Sequence, residues 1–483
     1  MWGAWGSPSS SPSWPAEPVV AVRVRFSPAP TGYLHVGSAR TALFNWLFAR
    51  HAGGELLLRI EDTDLARNKP ELIDSIVDAL DWLGIDFDGE PVHQSDRADA
   101  HAAAVVRLLE SGTAYRCDCT GEEVQQRAKE RGGPPGYDGH CRARNVAPGP
   151  GVAVRFRTPD DGTTAWDDVV RGTVEFPNSD LEDFVVVRSD GTPTFILANA
   201  LDDADMGITH VIRGEDLVNV TPKGILLRHA LGLTDLPIYA HLPLLVNEQR
   251  KKLSKRRDDV SLSDYRDRGY LAPAMANYLA LLGWGPPDGV EIRPISEIVD
   301  LFELAHVNKA PAFFDVKKLT HFNGEYVRAM ATDAFVAAVE PFLAEAPWPP
   351  ESFDPAVFAR IAPVVQERTH VLTDVVPMVD FLFLDHPEID GDDWDKATGK
   401  VPAAEILDDT IAAYSECEWS AATLHHSLAE IGERHGLKLG QAQAPVRVAV
   451  TGRRVGPPLF ESLGVLGRDR TLERLRAARA RLG

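Results

Sequence analysis

The sequence predicts an α/β fold built on a doubly wound parallel sheet, followed by a largely helical second half. Two strand patterns, at 19–24 and 56–60, each precede a helix pattern, at 39–49 and 72–83. Strands that alternate with helices are typical of parallel sheets, which bind ligands at the carboxyl ends of their strands. After Tyr265 nearly every segment has helical periodicity, with proline-rich joints.

Size and charge limit the class of protein. A chain of 483 residues is too long for one hydrophobic core and predicts about three to five domains. Its net charge of −21 argues against general affinity for nucleic acid. Residues 441–483 are the exception, because they hold nine arginines, no lysine and three acids, a formal charge of +6. This run is either a solvated helix face or a surface for RNA.

The location of the protein is predicted to be cytoplasmic. Residues 1–18 are rich in Ser, Pro, Gly and Trp, lack the basic start and apolar centre of a secretory leader, and are predicted to be a disordered tail. No apolar run approaches the length of about 18 residues that spans a membrane. Four cysteines in 483 residues make no disulfide framework.

The loop at 25–38 connects the first strand to the first helix. This order places backbone N–H groups and the positive end of a helix beside any anion in the loop. Gly37 allows close approach of a ligand, and His35 is expected where a phosphate would lie. Glu61 follows the second strand, so it and the loop are predicted to meet in one crevice at the carboxyl ends of the strands.

A second basic loop at 251–257 holds five cations in seven residues, after a strand-like run at 242–246. It is either an exposed loop without a task or a lysine loop that closes over a polyphosphate. Lysine suits the second role, as a point charge on a flexible stem. The His35 loop upstream on the same predicted sheet favours the second interpretation.

Taken together, these segments resemble class I aminoacyl-tRNA synthetases and, within them, the bacterial glutamyl-tRNA synthetases. The likeness extends from about residue 22 to the end of the chain. It rests on short motifs in chain order: RFSPAPTG at 25–32, HVGS at 35–38, RIEDTD at 59–64, VIRGED at 211–216, KLSKR at 252–256 and NGEY at 323–326.

The resemblance implies a domain organisation. A Rossmann-type catalytic sheet would form in two halves, 19–100 and 199–248, around an inserted α+β acceptor-binding domain at 101–198. A KMSKS loop and stem-contact domain at 249–330 and a helical anticodon-binding domain at 331–483 would follow.

The resemblance also implies an activity and its residues. L-glutamate would be activated with ATP and Mg²⁺ and transferred to the 3′ end of the tRNA for glutamate, with the tRNA for glutamine left open, by a monomer. His35, Lys252 and Lys255 would be catalytic, with Gly37 and Ser38 also at the ATP. The glutamate-binding residues would be Arg25, Ala29, Glu61, Thr63, Phe195, Asn199 and Arg213.

One departure from the family concerns Phe195, because the family commonly has a tyrosine there. A lost hydrogen bond to a charge costs about 1.5–3 kcal/mol if nothing replaces it. Three alternatives remain at this point: the shortened paralogue that glutamylates a modified base of the tRNA for aspartate, a catalytically silent tRNA-binding relative, and an unrelated HxG-type nucleotidyltransferase.

The cysteines at 117, 119 and 141, with Tyr137, resemble the zinc site in the insertion of some bacterial members. Three thiolates in a small Gly/Pro-rich module fit a structural zinc site, which needs four ligands. Tyr137 and His140 are the alternatives for the fourth ligand. The other interpretation is that these are ordinary reduced cysteines without metal.

Overall fold

The computed structural model describes residues 21–64, 68–132, 136–253 and 261–483. The chain divides into two compact units, one of residues 1–262 and 279–314 and one of residues 263–278 and 315–483. The predicted tail at 1–18 lies outside the described residues. Within the described ranges, no helix has the length and apolar character needed to cross a membrane.

Strands and helices alternate through the first half of the chain. As far as the last strand of the predicted insertion, the elements are β1 (Arg23–Phe26), α1 (Val36–His51), β2 (Glu55–Ile60), α2 (Pro70–Trp82), β3 (Val92–His93), α3 (Ala98–Glu110), β4 (Ala114–Cys117), α4 (Gly121–Arg131), β5 (Ala153–Phe156), β6 (Thr163–Asp168), β7 (Gly172–Pro177) and β8 (Val185–Val187). There follow α5 (Phe195–Asp205), β9 (His210–Gly214), α6 (Thr221–Ala230), β10 (Ile238–Leu242) and β11 (Leu245–Val246).

Helices dominate the second half, as predicted. They are α7 (Leu262–Asp267), α8 (Ala272–Ala280), α9 (Ile295–Leu301), then after the short strand β12 (Ala312–Phe313) the helices α10 (Val316–Ala329), α11 (Thr332–Ala344), α12 (Pro355–Gln366), α13 (Val375–Phe383), α14 (Gly391–Thr398), α15 (Ala403–Glu416), α16 (Ala421–Arg434), α17 (Leu439–Thr451), α18 (Leu459–Leu466) and α19 (Arg468–Arg481). Short 3₁₀ turns cover Ser95–Arg97, Asn178–Asp180, Glu215–Val220, Leu304–His306, Pro350–Ser352 and Leu372–Asp374.

The parallel sheet brings three strand ends together. β1, β2 and β3 pair in parallel, with Arg23 opposite Glu55. β9 pairs in parallel with β10. Thr209, the residue before β9, donates its N–H to the carbonyl of Arg23 at 2.9 Å. The carboxyl ends of β1, β2 and β9 therefore share one edge, where a parallel sheet binds its ligands.

Helix α1 is nearly enclosed and ties this edge together. Its residues Leu43, Phe44 and Leu47 are fully buried, and Phe44 makes an edge contact with Phe302 at 5.3 Å between ring centroids. Asn45 donates from Nδ2 to the carbonyl of Ile212 on β9 at 3.1 Å. The start of α1 is thereby held against the ends of the strands.

Two strand predictions differ from the structure. The first strand covers Arg23–Phe26, so residues 21 and 22 precede it, because β2 pairs with it only from Glu55 onward; residues 19 and 20 lie outside the described residues. The run at 242–246 is interrupted, since β10 ends at Leu242 and β11 starts at Leu245 and pairs with β12. Pro243 between them has no N–H for a ladder.

The segment predicted as an insertion is divided between two sheets. β4, β5 and β8 form an antiparallel sheet of their own. The hairpin β6–β7 instead extends the sheet of β9 and β10, through a parallel pairing of Asp168 with Tyr239. The end of β6 therefore lies beside β10, inside the sheet that also holds β9.

The arginine run at 441–483 is used largely inside the helical unit. Arg470 donates to the carbonyls of Leu382 and Leu384 at the end of α13. Arg474 is 4% exposed and donates to the carbonyls of Leu384, Asp385 and Val450. The last carbonyls of a helix have no partner within it, so these arginines cap the ends of α13 and α17.

We expect Arg474→Met to lower the free energy of unfolding by roughly 2–4 kcal/mol, because buried carbonyls lose their donor. Urea unfolding of the full chain measures this change. Arg476→Met, on the exposed side of the same helix, is the matched control and should change stability by less than about 0.5 kcal/mol. Equal effects of the two substitutions would contradict the capping role.

Candidate active site

A cavity of about 350 Å³ lies at the carboxyl ends of β1 and β9, beside the start of α1. Its size is typical of sites for small molecules. Ten of the residues predicted from the sequence line it: Arg25, Ala29, His35, Gly37, Ser38, Glu61, Phe195, Asn199, Arg213 and Lys252. The two segments expected to meet in one crevice, the His35 loop and Glu61, do so.

Two predicted residues have another outcome. Thr63 is not among the residues that line the cavity, and its contact with glutamate stays a prediction. The preceding residue, Asp62, contacts the 3₁₀ turn Ser95–Arg97. There it accepts hydrogen bonds from the N–H and Oγ of Ser95, both at 2.8 Å. Lys255 lies outside the described residues.

His35 is the N-cap of α1. Its Nδ1 accepts a hydrogen bond from the backbone N–H of Ser38 at 3.2 Å, so the neutral ring carries its proton on Nε2. Gly37 makes room for this ring, because a Cβ there would lie 3.1 Å from Nδ1. Nε2 lies 3.0 Å from Oγ of Ser38, so the ring and this hydroxyl are held together at the start of the helix, a position that suits a phosphate.

Arg25 and Arg59 share the carboxylate of Asp203. Arg25 donates from Nε at 3.0 Å and Arg59 from Nη1 at 2.6 Å, and all three side chains are buried. Burial alone would raise the pKa of Asp203, but the two guanidinium groups hold it well below its usual range. Nη2 of Arg25 also faces Asp203 at 3.5 Å, so two donors of this residue, which was predicted to bind glutamate, are directed at Asp203.

Glu61 follows β2 and lies at the same edge. Its N–H bonds to the carbonyl of Pro28 at 2.9 Å, and Oε1 lies 3.7 Å from Nη2 of Arg59. Burial raises the pKa of Glu61, and Arg59 and Arg25 oppose that effect. A partly desolvated carboxylate in a cavity is suited to bind a cation such as an ammonium group.

Arg213 is a cation without a matching anion. Its guanidinium donates to His241 Nε2 at 3.2 Å and to Thr221 Oγ1 at 2.8 Å, both uncharged partners. Within the described part of the chain, no carboxylate forms an ion pair with it. Burial, followed by the nearby charge of Arg25, lowers the pKa of Arg213 to about 10. A bound carboxylate would remove this penalty.

Lys252 also lines the cavity and is more than half exposed. It forms an ion pair with Asp216 at 2.9 Å. The backbone on either side of the undescribed residues 254–260 is fixed nearby. Leu253 donates its N–H to Leu245, and Ser261 forms an antiparallel bridge with His35.

Sequence reasoning missed Arg40, which lines the cavity from α1. Arg40 is buried and donates to the carbonyls of Leu282 at 3.2 Å and Pro243 at 2.5 Å. Burial lowers the pKa of Arg40 to about 9. An arginine in the middle of an otherwise apolar helix face was the available signal.

The cysteines predicted to bind metal form a compact group. The Sγ atoms of Cys117, Cys119 and Cys141 lie within 4.8 Å of one another. The hydroxyl of Tyr137 joins them, since it lies 3.5 Å from Cys117 Sγ and accepts the N–H of Cys141 at 2.8 Å. His140 is exposed. Each sulfur also accepts from one guanidinium: Arg155 at Cys117, Arg127 at Cys119 and Arg144 at Cys141.

Known proteins match this chain over nearly its whole length. The family described as tRNA synthetases class I (E and Q), catalytic domain, matches residues 21–321. The family described as anticodon binding domain matches residues 334–479. The glutamate–tRNA ligase of Frankia casuarinae is 58% identical over 95% of this chain and 98% of its own length. That of Salinispora arenicola is 55% identical, over 96% of this chain and all of its own.

The chain belongs to the glutamate–tRNA ligase family. It is an aminoacyl-tRNA ligase by that membership. A crystal structure of a glutamate tRNA ligase from Elizabethkingia meningosepticum, in complex with its amino acid, agrees with a TM-score of 0.83 at 31% identity, over 96% of this chain and all of that one. This confirms the predicted family and fold class. The alternatives of a shortened paralogue, a silent relative and an unrelated nucleotidyltransferase receive no support.

We expect Asp203→Asn to destabilise this ligase by about 3–5 kcal/mol at neutral pH, because two buried guanidinium groups lose their counter-charge. The pKa of Asp203 is depressed, so its contribution is complete above the unfolded value of 3.8 and is lost only as the pH falls below it. Urea unfolding measures the change. Asp205→Asn, at the exposed end of the same helix, is the control; equal effects of both would contradict the prediction.

Proposed function

We propose that this chain activates L-glutamate with ATP and transfers it to the 3′ end of the tRNA for glutamate. The observation that carries the proposal is Arg213, a partly buried guanidinium without an ion-pair partner among the described residues, in one cavity with Arg25 and Glu61. Among the groups proposed to contact glutamate and their ion-pair partners, three guanidiniums (Arg25, Arg59, Arg213) and two carboxylates (Asp203, Glu61) leave one positive charge. Glutamate, with two carboxylates and one ammonium, carries the single negative charge that balances it.

Two of the three charged groups of glutamate have a proposed partner, and the third, the α-carboxylate, is the one that reacts. Arg213 and the remaining Nη1 of Arg25 would bind the side-chain carboxylate, and Glu61 would bind the ammonium. Asn199, Phe195 and Ala29 would shape the walls. Phe195 supplies no hydroxyl, so the hydrogen bond to the carboxylate rests on the arginines.

The chemistry needs positioning more than proton transfer. The α-carboxylate of glutamate attacks the α-phosphorus of ATP in line, glutamyl adenylate forms and pyrophosphate leaves. A hydroxyl of the terminal adenosine of tRNA then attacks the glutamyl carbonyl, and AMP leaves. A carboxylate is already a nucleophile, so charge stabilisation on the phosphates is the main requirement.

The phosphates would lie at the other end of the cavity. The His35 ring, the N–H of Gly37, the hydroxyl of Ser38 and Lys252 are the proposed contacts. Lys255 is proposed from the sequence motif alone. Mg²⁺ would arrive on the phosphates of ATP, where it neutralises charge, and needs no dedicated protein cage.

The match of residues 334–479 to an anticodon binding domain supports tRNA as the partner. We propose that 249–330 contacts the tRNA stem and 101–198 its acceptor end, around catalytic halves at 19–100 and 199–248, with 331–483 at the anticodon. Charging of the tRNA for glutamine is left open. A cytoplasmic location and a monomeric state stay predictions from the sequence.

We further propose that Cys117, Cys119, Cys141 and Tyr137 hold a structural zinc ion. Three sulfurs within 4.8 Å of one another are spaced for one tetrahedral ion. The three guanidiniums that donate to the sulfurs favour the thiolate form that zinc requires. Tyr137 is preferred to His140 because its hydroxyl lies among the ligands.

We expect freshly purified protein to carry about one equivalent of zinc by metal analysis, since a structural site binds one ion. Cys141→Ser should lose most of that zinc. Cys417→Ser, in the helical unit, removes a cysteine outside the cluster and should keep it. Less than about half an equivalent in the unaltered protein would end the zinc proposal.

Glutamate-dependent exchange of pyrophosphate into ATP, with tRNA present, tests the activation step directly. No exchange with glutamate under these conditions would end the proposed function. Separate charging of purified tRNAs for glutamate and for glutamine then decides the acceptor.

We expect Arg213→Lys to raise the KM for glutamate about 10- to 100-fold, because lysine cannot reproduce the planar fork of donors. The KM for ATP should change less than about twofold, because ATP is bound by other groups. Arg107→Lys, on the exposed face of α3, is the control. An unchanged KM for glutamate would contradict the assignment of Arg213.

A further inference from the structure

A buried row of hydrogen bonds connects the inserted hairpin to Arg213. Asp168 is the last residue of β6, and its Oδ2 lies 2.5 Å from Nδ1 of His241 on β10. Both side chains are fully buried. On the other side of the ring, Nε2 of His241 lies 3.2 Å from Nε of Arg213. The cavity side chain is thus connected to a residue of the insertion by a single imidazole.

The position of the ring proton follows from the chemistry of arginine. A guanidinium has donors and no acceptor, so Nε2 of His241 must offer its lone pair to Arg213. The proton of the neutral ring is then on Nδ1, and faces the Asp168 carboxylate. Burial and the charges of Arg213 and Arg171 lower the pKa of His241, while Asp168 opposes them. The ring is therefore neutral at neutral pH.

Asp168 is itself held in one orientation. Its Oδ1 accepts the backbone N–H groups of Val170 at 3.1 Å, Arg171 at 3.0 Å and His241 at 3.1 Å. Its Oδ2 is left for the imidazole, with a weaker contact to Trp166 Nε1 at 3.4 Å. Three N–H donors on one oxygen fix which oxygen faces the ring.

Arg213 is fixed at two of its nitrogens by this arrangement. Nε is directed to His241, and Nη2 donates to Thr221 Oγ1 at 2.8 Å. Within the described residues no acceptor is bonded to Nη1. The guanidinium is therefore oriented at one edge and leaves its other edge for the cavity.

We propose that Asp168 and His241 are positioning residues for Arg213, which set the direction of its guanidinium toward the substrate carboxylate. The proposal rests on the proposed role of Arg213 in binding glutamate. It assigns to the insertion a part in amino-acid recognition as well as its proposed contact with the tRNA acceptor end.

Asp168→Asn tests the proposal with almost no change of shape. The three N–H donors favour the amide oxygen at the Oδ1 position, so the NH₂ group faces Nδ1 of His241. The ring must then accept at Nδ1 and carry its proton on Nε2, where it meets the N–H of Arg213 donor to donor. Thr221 Oγ1, 3.1 Å from Nε2, can accept that proton, so His241 would bond Thr221 in place of Arg213. We expect the KM for glutamate to rise on the order of tenfold, with the KM for ATP changed less than about twofold.

Asp167→Asn is the matched control, because Asp167 is the exposed neighbour on the same strand and bonds only locally, to Thr173. The pair His241→Gln and His241→Leu gives a second measurement that does not require Asp168→Asn to fold. Glutamine can present an oxygen near the position of Nε2 and should retain most of the affinity for glutamate, whereas leucine should lose it.

Nitrogen NMR of histidine-labelled protein measures the tautomer itself. The signal absent from His241→Gln identifies the ring, and we expect its proton on Nδ1 in the unaltered protein and on Nε2 in Asp168→Asn. A ring protonated on Nε2 in the unaltered protein would overturn the proposal. So would Asp168→Asn with an unchanged KM for glutamate, or equal affinities in the glutamine and leucine variants.

The failure of this inference and of the proposed role of Arg213 are distinguishable. If Arg213→Lys raises the KM for glutamate and Asp168→Asn does not, only the positioning role is wrong. If Arg213→Lys itself leaves that KM unchanged, the assignment of Arg213 is wrong.

Discussion

Everything at the catalytic edge depends on keeping guanidinium groups buried beside one another. Arg25 and Arg59 stand on neighbouring strands, and one carboxylate, Asp203, reaches both of them from helix α5. Without that carboxylate, two like charges would face each other in a region that water scarcely enters. Arg213 on the next strand keeps its charge without such a partner. The edge is consequently stable enough to fold and still positive enough to hold an acidic amino acid.

The proposed glutamate and phosphate sites of the cavity use different kinds of interaction. Arg25, Glu61 and Arg213 bind through full charges in a region largely removed from water. A ligand of the wrong charge would leave one of these groups unpaired at a cost in free energy, so they select a ligand by the number and sign of its charges. The end with His35 uses neutral donors at a helix start, which stabilise the spreading charge of phosphates without fixing its amount. This division suits a reaction in which the amino acid must be selected and the nucleotide only aligned.

Local patterns predicted the elements that local physics decides. The helix at 72–83 and the strand at 56–60 have clear periodicity and were found within a few residues as α2 and β2. The interruption at Pro243 and the pairing of Asp168 with β10 were not predicted, because both depend on a partner strand far along the chain.

The site shows the same limit. Motifs identified Arg25, Glu61 and Arg213, whereas Asp203 lies 178 residues from Arg25 and carries no motif. An acid on the apolar face of α5 was its only signal. The arginines near the chain end were described by charge alone, yet Arg474 acts through its donor geometry on helix ends, which charge counting does not detect.

The pairing of Asp168 with His241 also has a consequence for chimeric enzymes. A graft whose β6 ends in another residue would leave His241 without its partner. With the positioning role proposed for Asp168, it would also alter amino-acid binding at a distance from every junction. The graft boundary that respects the chemistry excludes the hairpin β6–β7 and leaves it with the recipient.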